Sequence, residues 1–185
     1  MDYMGRQRHL LLDRHIPGWD EAFLRDFDPA ATVRLYLGTG ADAIMVYANS
    51  RMGLDYWPTS VGTVHPGIGG RDVFGETTRL LRGAGVAVCT YYSMIFNNQA
   101  YLDHPDWRIV PVAPDGAFGP NSRYRVCCPA NQDFVTFMSD EVDELASLYE
   151  FDFLFVDMPF WGDNCVCDPC RVGTSTLRSQ ISSCS

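Results

Sequence analysis

Lysine is missing altogether: all 14 basic residues of the 185-residue chain are arginines. That excludes Schiff-base chemistry through a lysine amine and a phosphate loop that ends in lysine. Positive charge is scarce as well, with 14 basic against 23 acidic residues and a net charge of −9. Nucleic-acid binding rests on clustered cations, so no nucleic-acid partner is expected. Long apolar runs are lacking too. None approaches the roughly 18 uninterrupted apolar residues of a membrane span, and the opening MDYMGRQRHLLLD has too short an apolar core for a secretory signal. The expectation is a cytoplasmic chain without membrane contact.

What is present is a core. Apolar residues make up 46% and aromatics 13%, which fits one globular domain of this length. The most informative stretch is FDFLFVDMPFW at residues 151–161. Its apolar run reads as a buried parallel strand. The run delivers a carboxylate, Asp157, at its C-terminal end, with Phe160 and Trp161 beside it to stack on a sugar ring. Ligands of parallel α/β sheets sit outside the carboxyl ends of the strands. The alternative is that Asp157 merely caps a following turn or helix.

Three earlier segments have the same character. Residues 9–12 form a short apolar run that delivers Asp13, Arg14 and His15; residues 43–48 (AIMVYA) and 86–92 (VAVCTYY) read as buried strands. Between them, the spacing predicts helices over 29–37, with Asp28 as N-cap and Pro29 in the first helical position, over 72–82, and over 132–150. Residues 49–71 form a long loop that Tyr56 and Trp57 are expected to pin. Residues 107–112 and 124–128 suggest two arms of a β excursion around Pro114-Asp115-Gly116. The order β-α-β-α-β-α-β, with polar residues gathered at the strand ends, is that of a (β/α)-barrel active face. The expected fold class is α/β, a partial TIM-type (β/α)8 barrel of about four β/α units.

The segments FDP, TGAD, AIMVYA, YWPTSVGTVHP, GRDVFGE, LLRGAGVAVCTYYS, HPDW and FDFLFVDMPFW, in that order and spacing, resemble the N-terminal half of α-L-fucosidase-like glycoside hydrolases. These are family 29 and the hypothetical bacterial glycosyl hydrolases that share its barrel. The resemblance covers residues 8–170 and implies a retaining hydrolysis of a carbohydrate substrate, with residues 1–170 holding the first half of the barrel. By that resemblance Asp157 is the nucleophile and His15 is the sugar-binding histidine after strand one. Tyr91 and Tyr92 match the Tyr-Tyr-Ser that closes strand three, and Trp57 falls in the aromatic loop after strand two. Retaining enzymes also need a second carboxyl about 5 Å from the nucleophile. The family's acid/base residue falls beyond strand four. Asp13, Asp55 and Asp163 are acids near the same face, but no spacing marks one of them for that role. Asn49-Ser50-Arg51-Met52-Gly53 stands where fucosidases carry His-His-Asp-Gly, so fucose specificity does not follow. A domain that binds carbohydrate without cleaving it, or a zinc-stabilised structural domain, is the alternative.

Seven cysteines are unevenly placed, and their odd number does not suit a disulfide framework. Cys165, Cys167 and Cys170 form C-x-C-x-x-C, which can bind zinc if Cys127, Cys128 or Cys184 supplies a fourth thiolate. The simpler expectation is reduced thiols on a loop, with no metal and no cofactor. Residues 171–185 are rich in Ser and Thr where a long amphipathic helix would begin, as in a reading frame that ends early. A half barrel would expose two strand edges and an apolar inner face, and so self-associate.

Overall fold

The computed structural model describes residues 5–112, 118, 122–159 and 164–171. Short β-branched and aromatic runs alternate in it with amphipathic helices. The elements are β1 (His9–Leu11), a distorted helical turn α1 (Ala22–Arg25), α2 (Pro29–Gly38), β2 (Ala43–Tyr47), α3 (Val73–Gly83), β3 (Ala87–Ser93), α4 (Asn98–Asp103), α5 (Gln132–Leu148) and β4 (Phe153–Asp157). All strands are parallel, in the order β1-β2-β3-β4. This is the consecutive order of the first strands of a (β/α) barrel, so the predicted α/β class holds. No described helix is long and apolar enough to cross a membrane.

The helix boundaries follow local chemistry. The Asp28 carboxylate accepts from the Ala31 N–H at 3.1 Å, with Pro29 in the first turn. Asp72 caps α3 through Gly75 N–H at 2.8 Å, and Asn131 caps α5 through Phe134 N–H at 3.0 Å. Such caps satisfy amide groups that have no partner within the helix. Replacing Asn131 by Ala is expected to cost about 1 kcal/mol of stability, read as a lower denaturation midpoint with an unchanged slope. β4 starts two residues later than the apolar run suggests. Asp152 is occupied elsewhere: its Oδ2 accepts from Arg82 Nη1 at 2.8 Å and from Val88 N–H at 2.9 Å.

Side chains alternate across the sheet. One face carries Ile44, Val46, Val88 and Leu154 against the helices, in a core with Val33, Tyr36, Phe74, Leu81 and Leu145. The other face carries Met45, Tyr47, Cys89, Tyr91, Phe153 and Phe155, paired in register across β2, β3 and β4. That inner face is open at its edges: Leu11 is 49% exposed, Phe153 42% and Phe155 39%. A second apolar cluster forms beyond the strand ends, where Ile95, Phe96, Trp107, Ile109 and Val126 meet Phe134 and Met138 of α5. The predicted β excursion is seen there as an antiparallel bridge between Arg108 and Cys127. A third strand segment joins it at Pro111 and Cys165. The excursion's tip at Pro114–Gly116 lies outside the described residues.

Under the loop after β2 lies a buried acidic group. Asp55 and Glu141 are each 1% exposed. The Asp55 carboxyl oxygens are buried, and one of them faces Glu141 Oε1 across the space that a Cβ on Gly62 would fill. Glu141 Oε2 accepts from the Tyr92 hydroxyl at 2.7 Å. Burial pushes the Asp55 carboxyl well above the usual carboxylate range, and the Glu141 charge pushes it the same way. Burial likewise lifts Glu141 to about 7. Two carboxyls held together away from water cannot both ionise cheaply, so the pair keeps a proton.

Candidate active site at the strand ends

Asp157 is the last residue of β4 and lies opposite Ser93 of β3. Two residues upstream of Ser93, and so on the same face, Tyr91 donates its hydroxyl to Asp157 Oδ2 at 2.5 Å. The chain then turns sharply. Met158 takes a left-handed backbone at φ 59°, which is strained for a side chain of this size, and its N–H returns to Asp157 Oδ1 at 3.0 Å. Both carboxylate oxygens are therefore held.

A matching arrangement lies beside it. Tyr47 stacks on Tyr91 with ring centroids 3.9 Å apart and planes 10° from parallel. Its hydroxyl donates to Asp13 Oδ1 at 2.8 Å. His15 Nε2 is 3.1 Å from the same oxygen, and the His15 ring meets Tyr47 edge-on at 5.8 Å. The site thus holds two carboxylates, each bound by a tyrosine hydroxyl, with the tyrosines stacked between them. Burial and the adjoining carboxylates raise both tyrosine pKa values, so both hydroxyls stay protonated and act as donors. Burial lowers the His15 pKa, and Arg51 lowers it further against the opposing pull of Asp13 and Asp157. The net effect favours the uncharged ring. With Nε2–H given to Asp13, the buried Nδ1 has no partner and offers a lone pair.

Asp13, His15, Tyr91 and Met158 line a cavity of about 310 Å³ together with Arg51, Ser93 and Arg123, near the lower end of small-molecule sites. Arg51 is positioned from its backbone. The carbonyls of Arg51 and Met52 accept the Asn98 and Gln99 N–H groups at 3.0 and 3.1 Å. Gly53 follows at φ 70°, where a Cβ would lie 1.9 Å from Asn97 Oδ1. Gly53→Ala is therefore expected to lose about 1–3 kcal/mol through backbone strain and this clash, measurable by thermal unfolding. A larger cavity, about 510 Å³, lies between α3 and the end of α5, lined by Arg79, Arg82 and Glu150. It touches no strand end, and barrel chemistry belongs at the strand ends.

Of the residues singled out in the sequence, Asp157, His15 and Tyr91 meet here. Two others do not. Tyr92 is next to Tyr91 in β3, so it points to the opposite face, where it holds Glu141. Trp57 is fully buried, and its indole N–H donates to Glu144 Oε2 at 3.1 Å. It closes the core under the loop and offers no ring to a sugar. Trp161 and Asp163 lie outside the described residues. Asp55 belongs to the buried acidic pair. Asp13 is at the site, as are Arg51 and Arg123, which the sequence did not single out. A pointer existed for Arg51, which sits just past the end of a barrel strand.

A parallel sheet in consecutive strand order, with carboxylates, tyrosines and a histidine at its carboxyl end, defines part of an α/β barrel of glycosidase type. The profile of the hypothetical glycosyl hydrolase 6 family matches residues 28–158, and the chain belongs to that family. Among solved structures, it is similar to α-L-fucosidase isoenzyme 2 from Paenibacillus thiaminolyticus (TM-score 0.83, 21% identity, 93% of this chain and 26% of that one). It is also similar to the Thermotoga maritima α-fucosidase solved in complex with fucose (TM-score 0.56, 21% identity, 85% of this chain and 33% of that one). A third is a family 29 α-L-fucosidase from Bacteroides thetaiotaomicron (TM-score 0.53, 19% identity, 77% and 30%). At these identities the likeness establishes the fold. The chain spans about a quarter to a third of the length of these proteins. No curated protein matches.

Proposed function

We propose that this chain forms the first half of the active face of a retaining glycoside hydrolase, with Asp157 as the carboxylate nucleophile. The observation that carries the reading is the fixed Asp157 carboxylate at a barrel strand end, held at 2.5 Å by Tyr91, which lines the same cavity as Met158, Asp13, His15 and Arg51. A retaining nucleophile must attack the anomeric carbon from one defined direction, and a carboxylate tied at both oxygens has that direction fixed. Tyr91 is then a positioning residue, and the unpartnered His15 Nδ1 and the Arg51 guanidinium are donors and acceptors for sugar hydroxyls. α-L-Fucosides are the first substrates to test because the fold is shared with fucosidases.

Aryl glycosides with a good leaving group depart without help from an acid, so they report on the nucleophile alone. With a panel of nitrophenyl glycosides, the expected result is release from one sugar class that saturates with substrate. Saturable binding of sugars without any release or covalent capture would favour the non-catalytic reading. Tyr91→Phe is expected to slow release on the order of tenfold, the loss of one hydrogen bond to a charged group, with little change in KM. The exposed inner face at Leu11, Phe153 and Phe155 further suggests that the chain self-associates. A monodisperse monomer by light scattering would count against that.

A further inference from the structure

Cys128 and the triad Cys165, Cys167 and Cys170 come from segments far apart in the sequence, yet their four sulfurs lie within 4.8 Å of one another. We infer that these four thiolates bind a single zinc ion that fastens the segment after β4 to the turn before α5. Cys128 Sγ is 3.5 Å from Cys170 Sγ and 3.5 Å from Cys167 Sγ. A tetrahedral site with metal–sulfur bonds of about 2.3 Å has sulfur–sulfur edges of about 3.8 Å, so the cluster is already the size of one ion. It is too wide for a disulfide, whose sulfurs are about 2.05 Å apart. A closed set of four cysteine ligands suits structural zinc and leaves no open position for catalysis.

The surroundings supply the outer support that metal thiolates use. Cys165 Sγ accepts from the Val110 N–H at 3.3 Å and from the Cys167 N–H at 3.5 Å. Strand-like contacts hold the same segment in place: Val112 N–H reaches the Asn164 carbonyl at 3.1 Å, and Val166 N–H reaches the Val110 carbonyl at 2.8 Å. The neighbouring Cys127 shows the contrast. It is fully buried within the apolar cluster of Ile95, Phe96 and Trp107, facing away from the other thiols, as an ordinary core cysteine does. The sequence left Cys127, Cys128 and Cys184 as candidates for the fourth ligand. Chain alternation at residues 127 and 128 decides between the first two, and Cys184 lies outside the described residues. Binding exchanges the thiol protons for one Zn(II), with no change of oxidation state.

The test is metal analysis of the chain purified from zinc-supplemented cells without chelator. About one zinc per chain is expected. Cys128→Ser and Cys167→Ser should each lower the zinc content several-fold, while Cys127→Ser leaves it unchanged. Cys128→His, which replaces one zinc ligand with another, should retain it and so separates ligand loss from misfolding. Chelated protein titrated with Co(II) should show the intense visible bands of tetrahedral thiolate-bound cobalt, and the Cys128→Ser variant should not. Wild-type protein without stoichiometric metal and without those bands overturns the proposal. So does iron in the site, or a disulfide among these cysteines in freshly purified protein.

Discussion

Replacing Asp157 by Asn is expected to abolish covalent capture of the chain by an activated 2-deoxy-2-fluoro glycoside and to lower aryl-glycoside release on the order of 10³-fold or more. The substitution is nearly isosteric, and the amide oxygen can still accept from Tyr91, which now donates to Oδ2 at 2.5 Å. What it removes is the anionic nucleophile. In a retaining mechanism that carboxylate forms the bond to the anomeric carbon as the leaving group departs. Peptide mapping of the captured wild-type chain should therefore place the sugar on residue 157. A smaller variant, Asp157→Gly, leaves room for an external nucleophile, and azide should restore release to it as a glycosyl azide of inverted configuration. Capture on Asp13, the other carboxylate at the site, would reassign the nucleophile. Capture that survives in both variants would end the proposal for Asp157.

Glu141→Gln is expected to stabilise the protein at pH 8 by on the order of 2–3 kcal/mol and to leave it nearly unchanged at pH 4. The sign follows from the proton that the buried pair retains. Burial raises Asp55 and Glu141 above their unfolded values, Glu141 to about 7. A group raised on folding contributes stability that is complete below its unfolded pKa and is lost as pH rises through the folded one. The wild-type protein should therefore weaken between about pH 5 and pH 8 relative to the variant. Glutamine keeps the volume and an oxygen for the Tyr92 hydroxyl, now 2.7 Å from Glu141, but cannot ionise. The difference between the two proteins is the quantity to measure, by denaturant unfolding across pH. Burial lowers the pKa values of His15 and His65, so both work in the opposite direction and cancel in the comparison. Parallel stability curves for the two proteins would show that the pair carries no such cost.

The parts of the fold that local chemistry determines were legible in the sequence. Asp28-Pro29 announces a helix start because a carboxylate cap and a fixed φ serve the first turn, and α2 begins there. The apolar spacing of α5 is visible because one face of a 17-residue helix meets two clusters. Asp157 and Tyr91 were legible because a strand end needs only an apolar run and its last polar residues. The misplacements come from the period of two and from contacts distant in sequence. Adjacent residues of a strand cannot share a face, so Tyr91 and Tyr92 had to separate, and period alone does not say which faces inward. Trp57 is placed by Glu144, 87 residues away, through a contact that no local pattern carries. Four-residue α1 and six-residue α4 are too short for a helical repeat to show.

The strand order β1-β2-β3-β4 bears on how the chain is made. Each strand pairs with the one synthesised just before it, and each crossover packs onto a sheet edge that already exists. Translation delivers residues more slowly than such local docking proceeds, and domains commonly fold from the N-terminus as they emerge. The nascent protein can therefore assemble strand by strand on the ribosome. Asp157, on the last of the four, comes to Tyr91 only after the surface that receives it is in place.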